Sequence, residues 1–128
     1  MVMQMQQSLV SMNKGLGQLR LSGPLSEWLF ASKFWSDLNA KQGTMFDQFE
    51  EDEADVPIIR VVVEELERRV RALRELGEHD VEFVYRWTAE HKPLTTSVPR
   101  ESLLSEVVML RDFLADAVAQ NCPVTFAL

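Results

Sequence analysis

Six carboxylates crowd the stretch between Lys41 and Arg60: Asp47, Glu50, Glu51, Asp52, Glu53 and Asp55, with no lysine or arginine among them. Carboxylates this close repel one another unless solvent, a cation or a positive surface relieves the repulsion. The whole chain carries 20 acids against 13 Lys and Arg, a formal charge of −7. The six account for nearly all of that excess, so the acidity is local. Binding to a phosphate backbone needs clustered basic residues that displace counterions, and no nucleic-acid partner is expected. A negative patch can instead steer a basic protein and set its specificity. Phe46 and Phe49 lie inside the run and are candidate apolar anchors for such a contact. The predicted partner-binding set is therefore Phe46, Asp47, Phe49, Glu50, Glu51, Asp52, Glu53 and Asp55.

Cation chemistry is the competing use of the same residues. Glu50 and Glu53 form an E-x-x-E pair, and Glu75 and Glu78 form a second. The pattern resembles the acidic helix pairs of all-α nucleotide pyrophosphohydrolases of the MazG and dUTPase type. That resemblance implies a small Mg²⁺-dependent phosphohydrolase in which carboxylates from facing helices hold the metal. The sequence departs from the pattern where Gly77 interrupts the second pair and where no helical E-x-x-D follows the first. The acidic run also lacks the alternating ligands and central glycine of an EF-hand loop. His79 and His91, the only histidines, have neither HxxxH nor HExxH spacing. There is no G-x-S-x-G, and Cys122 sits at a helix end before Pro123, where a thiol is most often a small buried hydrophobe. Gly15-x-Gly17 lacks both the third glycine and the preceding strand of a phosphate loop. The expectation is a protein that is not an enzyme, with no catalytic residue, no cofactor and no bound metal.

The elements that must position the acidic run can be read from periodicity. Residues 1–22 are weakly patterned: a short helix over Gln4 to Asn13, prone to fray, precedes a turn at Ser22-Gly23. Pro24, with Ser22 or Gly23 as cap, opens a helix over Leu25 to Lys41, which Gly43 stops. Trp28 and Trp35 share one face of that helix and Phe30 and Phe34 another. A helix with bulky apolar residues on two sides must bury both, in its own core or against a partner, and a homodimer would serve. Thr44 to Asp55 is either a turn or two of helix or an ordered loop pinned by its two phenylalanines. Ile59, Val62, Val63, Leu66, Val70, Leu73 and Leu76 stripe a long helix over Val56 to Leu76, with Glu64–Arg68, Glu65–Arg69 and Glu67–Arg71 as i,i+4 pairs. Alternation from Val81 to Trp87 reads as a strand, and Tyr85 and Trp87 on it are of the types enriched at interfaces. Lys92 to Pro99 reads as a loop. A last helix spans Arg100 to Asn121, and the apolar tail Val124 to Leu128 pairs with the earlier strand.

The fold class expected is therefore mainly α: a single domain over residues 1–128, a bundle of three to four helices with a minimal β element near residues 81–87 and 124–128. One cysteine allows no internal disulfide, which fits a reducing compartment. No basic leader and no continuous apolar run of spanning length is present, so neither a signal peptide nor a membrane is expected and residence in the cytoplasm is.

Two segments, WSDLNAKQGTMFDQFEEDEAD and LRDFLADAVAQNCPVTFAL, resemble the small acidic immunity proteins that bacteria encode beside polymorphic or contact-dependent toxins. The resemblance covers about a third of the chain and carries over no individual residue. It implies a non-enzymatic inhibitor whose cognate partner is a toxin with a basic surface. A homo-oligomeric structural or regulatory protein is the third reading.

Overall fold

A computed structural model describes residues 5–77 and 80–128. Residues 1–4, Glu78 and His79, on which some of the expectations above fall, lie outside the described residues. The chain builds strands β1 (Ser8–Met12) and β2 (Gly17–Leu21), helices α1 (Gly23–Ala31) and α2 (Phe34–Gln42), strand β3 (Glu51–Ala54) and helix α3 (Val56–Glu75). Strands β4 (Asp80–Trp87) and β5 (Pro93–Pro99), helix α4 (Arg100–Ala119) and strand β6 (Val124–Ala127) follow. β2, β1, β6 and β3 form one antiparallel sheet in that order, and β4 and β5 form a separate hairpin. The architecture is mixed α/β, which overturns the mainly α bundle.

The N-terminal segment is where that expectation failed first. Ser8, Val10 and Met12 of β1 face inward and are buried, while Leu9 and Ser11 face outward. Apolar side chains thus stand on both faces and a serine on the buried one, which hides the period of two. Gly15 and Gly17, read as helix breakers, instead turn the chain back into β2, with Gly15 at φ +70°. The segment expected to fray is an ordered hairpin.

The helix expected over Leu25 to Lys41 is two helices. Ser22 caps α1, its hydroxyl accepting from the Leu25 N–H at 3.2 Å, and is itself held by Glu106 of α4 at 2.6 Å. The break lies at Lys33, in the left-handed region at φ +63°. That conformation costs about 1–2 kcal/mol, whereas fully burying a phenylalanine side chain contributes about 1.5–3 kcal/mol. The break lets Trp28, Phe34 and Trp35 all turn inward, to 7%, 2% and 1% exposure, so Phe34 needs no partner. Arg69 of α3 secures the junction. Its guanidinium donates to the Ser32 carbonyl at 3.1 Å and lies over the rings of Trp28 and Phe34. Gly43 ends α2 in the left-handed conformation, as its position suggests.

α3 and α4 follow their periodicity. Ile59, Val62, Leu66, Val70 and Leu73 of α3 and Leu103, Val107, Leu110, Leu114 and Ala117 of α4 are buried and join the inner sheet face (Val10, Met12, Leu21, Val124, Phe126) in one core. The helical ion pairs differ from the expected set: Arg68 bonds Glu65 one turn earlier, and Arg69 is engaged with α1 and α2. The strand over 81–87 is present, but its partner is β5, which the sequence left as a loop. Prolines at both ends of β5 are tolerated because a two-stranded hairpin leaves backbone edges free. β6 pairs with β1 and β3 rather than with β4.

Candidate acidic interaction surface

Five of the six acids occupy an edge strand and the loop leading into it, and the sixth, Asp55, follows the strand at the start of α3. Among the described residues β3 pairs only with β6, with Glu51 opposite Ala127, Asp52 opposite Phe126, Glu53 opposite Thr125 and Ala54 opposite Val124. Facing residues in an antiparallel pair lie on the same side of the sheet. Glu51 and Glu53 therefore project from the outer face and are exposed, while Asp52 and Ala54 face inward. Asp52 is half-buried, and its Oδ2 is shielded from solvent without a hydrogen-bond partner. Asp47, Glu50 and Asp55 are exposed. Asp55 sits at the N-cap of α3 but makes no side-chain cap bond.

The loop before β3 is held from beneath by buried or half-buried polar groups. Asn39 of α2 accepts from the Phe46 N–H at 3.0 Å and from Thr44 Oγ1 at 2.8 Å, and donates to the Phe46 carbonyl at 2.8 Å. That clamp drives Phe46 into the core at 5% exposure, where it meets Trp35 at 5.1 Å and Phe126 at 5.3 Å between ring centroids. Two residues further on, Gln48 donates to both oxygens of Glu27 at 3.1 and 3.2 Å. The Glu50 carbonyl accepts from the Leu128 N–H at 2.9 Å. The two phenylalanines of the run therefore part company. Phe46 belongs to the core and not to the contact surface, whereas Phe49 is 67% exposed, with φ +65°. Met45, four residues before Phe49 and 81% exposed, is an apolar group that charge patterning did not single out.

Glu27 is the centre of this support. It is 1% exposed and pairs with Arg86 of β4, whose Nη2 donates to Oε1 at 2.7 Å. It also accepts from the Gln6 N–H at 3.1 Å. One buried carboxylate thus joins α1, β4, the acidic loop and the segment before β1. Arg86 lies under the Phe49 ring at 5.7 Å. Sequence reasoning missed Glu27, which sits among apolar residues in a short helix with no nearby basic partner.

No ion pair among the described residues involves any of the six acids. Two arginines on flanking elements are engaged elsewhere: Arg86 with Glu27, and Arg20 of β2 with Gln7 at 3.5 Å.

The carboxylates grouped as a metal site do not converge. Glu50 and Glu53 precede α3, while Glu75 ends it, and a 20-residue helix is about 30 Å long. Glu78 lies outside the described residues. Among the described residues no group of three or more His, Cys, Asp or Glu side chains is placed to share an ion. His91 is exposed in the β4–β5 turn. Cys122 is buried, its thiol directed to the Asn13 carbonyl at 3.2 Å. Trp28 and Trp35 are core residues, whereas Trp87 is 64% exposed. Among the described residues no helix is long and apolar enough to cross a membrane.

Comparison with protein-family models, with curated proteins and with solved structures finds no match.

Proposed function

We propose that this chain is a non-enzymatic protein-binding module, an immunity-type inhibitor that neutralises a basic bacterial toxin through Asp47, Glu50, Glu51, Glu53 and Asp55, with Phe49 and Met45 as apolar contacts. The observation that carries the reading is a contrast. Buried Glu27 and half-buried Asn39 hold the loop from beneath, while the carboxylates it displays have no cationic partner among the described residues. A surface ordered before binding avoids the entropy loss of ordering on contact. Unpaired exposed carboxylates raise the rate of encounter with a positive surface. The free edge of β3 adds main-chain donors and acceptors that a partner strand can use.

The test is co-purification with the product of the neighbouring reading frame. The wild-type chain retains that protein and relieves its toxicity on co-expression. The Glu50→Lys/Glu51→Lys double variant loses both effects while keeping the wild-type melting temperature. Retention by the variant at low salt removes the acidic surface from the mechanism.

A further inference from the structure

We infer that the cavity between α2 and the loop over residues 43–50 receives an arginine side chain of the partner, an inference that rests on the protein-binding reading above. The cavity holds about 430 Å³, within the usual range of small-ligand sites. Phe30, Trp35 and Phe46 form its walls, and Met45, Asp47 and Glu50 stand around its mouth. Phe30 and Met45 offer apolar surface; Asp47 and Glu50 are exposed, and neither is ion-paired among the described residues.

The lining selects the chemistry of the occupant. An anionic group is repelled by the two carboxylates, and a purely apolar group would strip water from them without replacing it. An apolar stem ending in a cation satisfies both halves, with methylenes along Phe30 and Met45 and the charged head at the carboxylates. Arginine fits better than lysine, because its planar guanidinium is more weakly hydrated, stacks on aromatic rings and presents forked donors to carboxylates.

Trp35 provides a reporter in the wall of the cavity. Trp35 is 1% exposed and its indole N–H has no hydrogen-bond partner. The indole nitrogen is itself closed off from solvent, so an occupant of the cavity alters its surroundings rather than bonding to it.

The experiment uses the full ¹⁵N-labelled chain titrated with acetyl-Gly-Arg-Gly-amide, with the lysine and citrulline analogues in parallel. Citrulline keeps the shape of arginine without its charge. The expected result is a saturable shift of the Trp35 indole N–H and of the Thr44 to Glu50 amides. It is at least about tenfold weaker for the citrulline peptide and for the Asp47→Asn/Glu50→Gln variant, as the loss of one charge-assisted contact requires. Equal response to citrulline, or equal affinity for lysine, overturns the assignment. Shifts confined to Glu51 to Asp55 also overturn it, while leaving the acidic face as a binding surface. Absence of any shift overturns the cavity alone, since the co-purification experiment judges the face independently.

Discussion

Glu27 and Arg86, 59 positions apart, meet in a buried ion pair that joins helix α1 to strand β4 and also anchors the acidic loop through Gln48. Removing one member of such a pair leaves an uncompensated charge inside the protein, which costs about 3–5 kcal/mol. Arg86→Met leaves the Glu27 carboxylate, 1% exposed, without its cation, so its cost sits near the top of that range. Glu27→Leu leaves the Arg86 guanidinium, which keeps 22% of its side chain in solvent and can hydrate, so its cost falls at or below the low end. The double variant Glu27→Leu/Arg86→Met recovers part of the loss, because no charge is left unpaired. Urea unfolding of the four proteins measures the coupling, and additive single effects would show that the pair does not act as a unit.

Phe46 and Phe49 give a sharper contrast. Phe46→Ala removes a ring packed against Trp35 and Phe126 and is expected to cost about 3–5 kcal/mol. Phe49 holds a left-handed backbone with its ring mostly in solvent. Phe49→Gly relieves a strain of about 1–2 kcal/mol and gives up only the ring over Arg86, so stability is unchanged or slightly higher. Partner affinity, in contrast, falls in the Phe49 variant. Paired denaturation and binding measurements check both halves, and a large loss of stability in Phe49→Gly would contradict the surface role of that ring.

Sequence spacing could not separate these two residues. Both lie in one acidic run three positions apart, and the difference arises from Asn39, whose amide clamps the Phe46 main chain from another helix. The long helices were legible because their apolar stripes recur every three or four residues over five turns. β1 was not, since Ser8 faces the core and Leu9 faces out. β5 reads as a loop from its prolines and its Thr-Thr-Ser run. β3 is a strand in spite of its own sequence: Glu-Asp-Glu-Ala has weak β propensity, and pairing with the apolar β6 imposes the conformation. The break at Lys33 carries no glycine, proline or asparagine to announce it. The charge of the candidate surface was therefore readable, while its placement on a sheet edge and its buried support were set by distant contacts.

Charge reversal of Glu50 and Glu51 separates steering from folding. Both side chains are exposed and unpaired among the described residues, so the thermal midpoint is expected to move by no more than surface substitutions usually cause, about ±0.5 kcal/mol in stability. The association rate at low salt falls by about tenfold or more, because long-range attraction governs encounter. The gap between wild type and variant narrows as salt rises, with a screening length of about 10 Å at 0.1 M. Stopped-flow association over a salt series reads this directly, and a rate that ignores both charge and salt would remove steering from the account.

The last prediction concerns what the edge acids prevent. β3 presents an unpaired strand edge, and such edges template pairing with other chains unless charges or inward-pointing polar groups block it. Glu51 and Glu53 on the outer face and Asp52 on the inner face all guard it. Two copies meeting edge to edge would oppose six carboxylates, whereas a basic segment would meet complementary charge. Glu51→Thr/Glu53→Thr removes the outer guard and introduces residues that favour strands. The variant is expected to self-associate at concentrations where the wild-type chain does not, and added salt should push the wild-type chain in the same direction by screening its repulsion. Sedimentation velocity across a concentration series checks both. If the double variant sediments as the wild type does, the charges on β3 are not what keeps its edge free, and their concentration there is left to the partner alone.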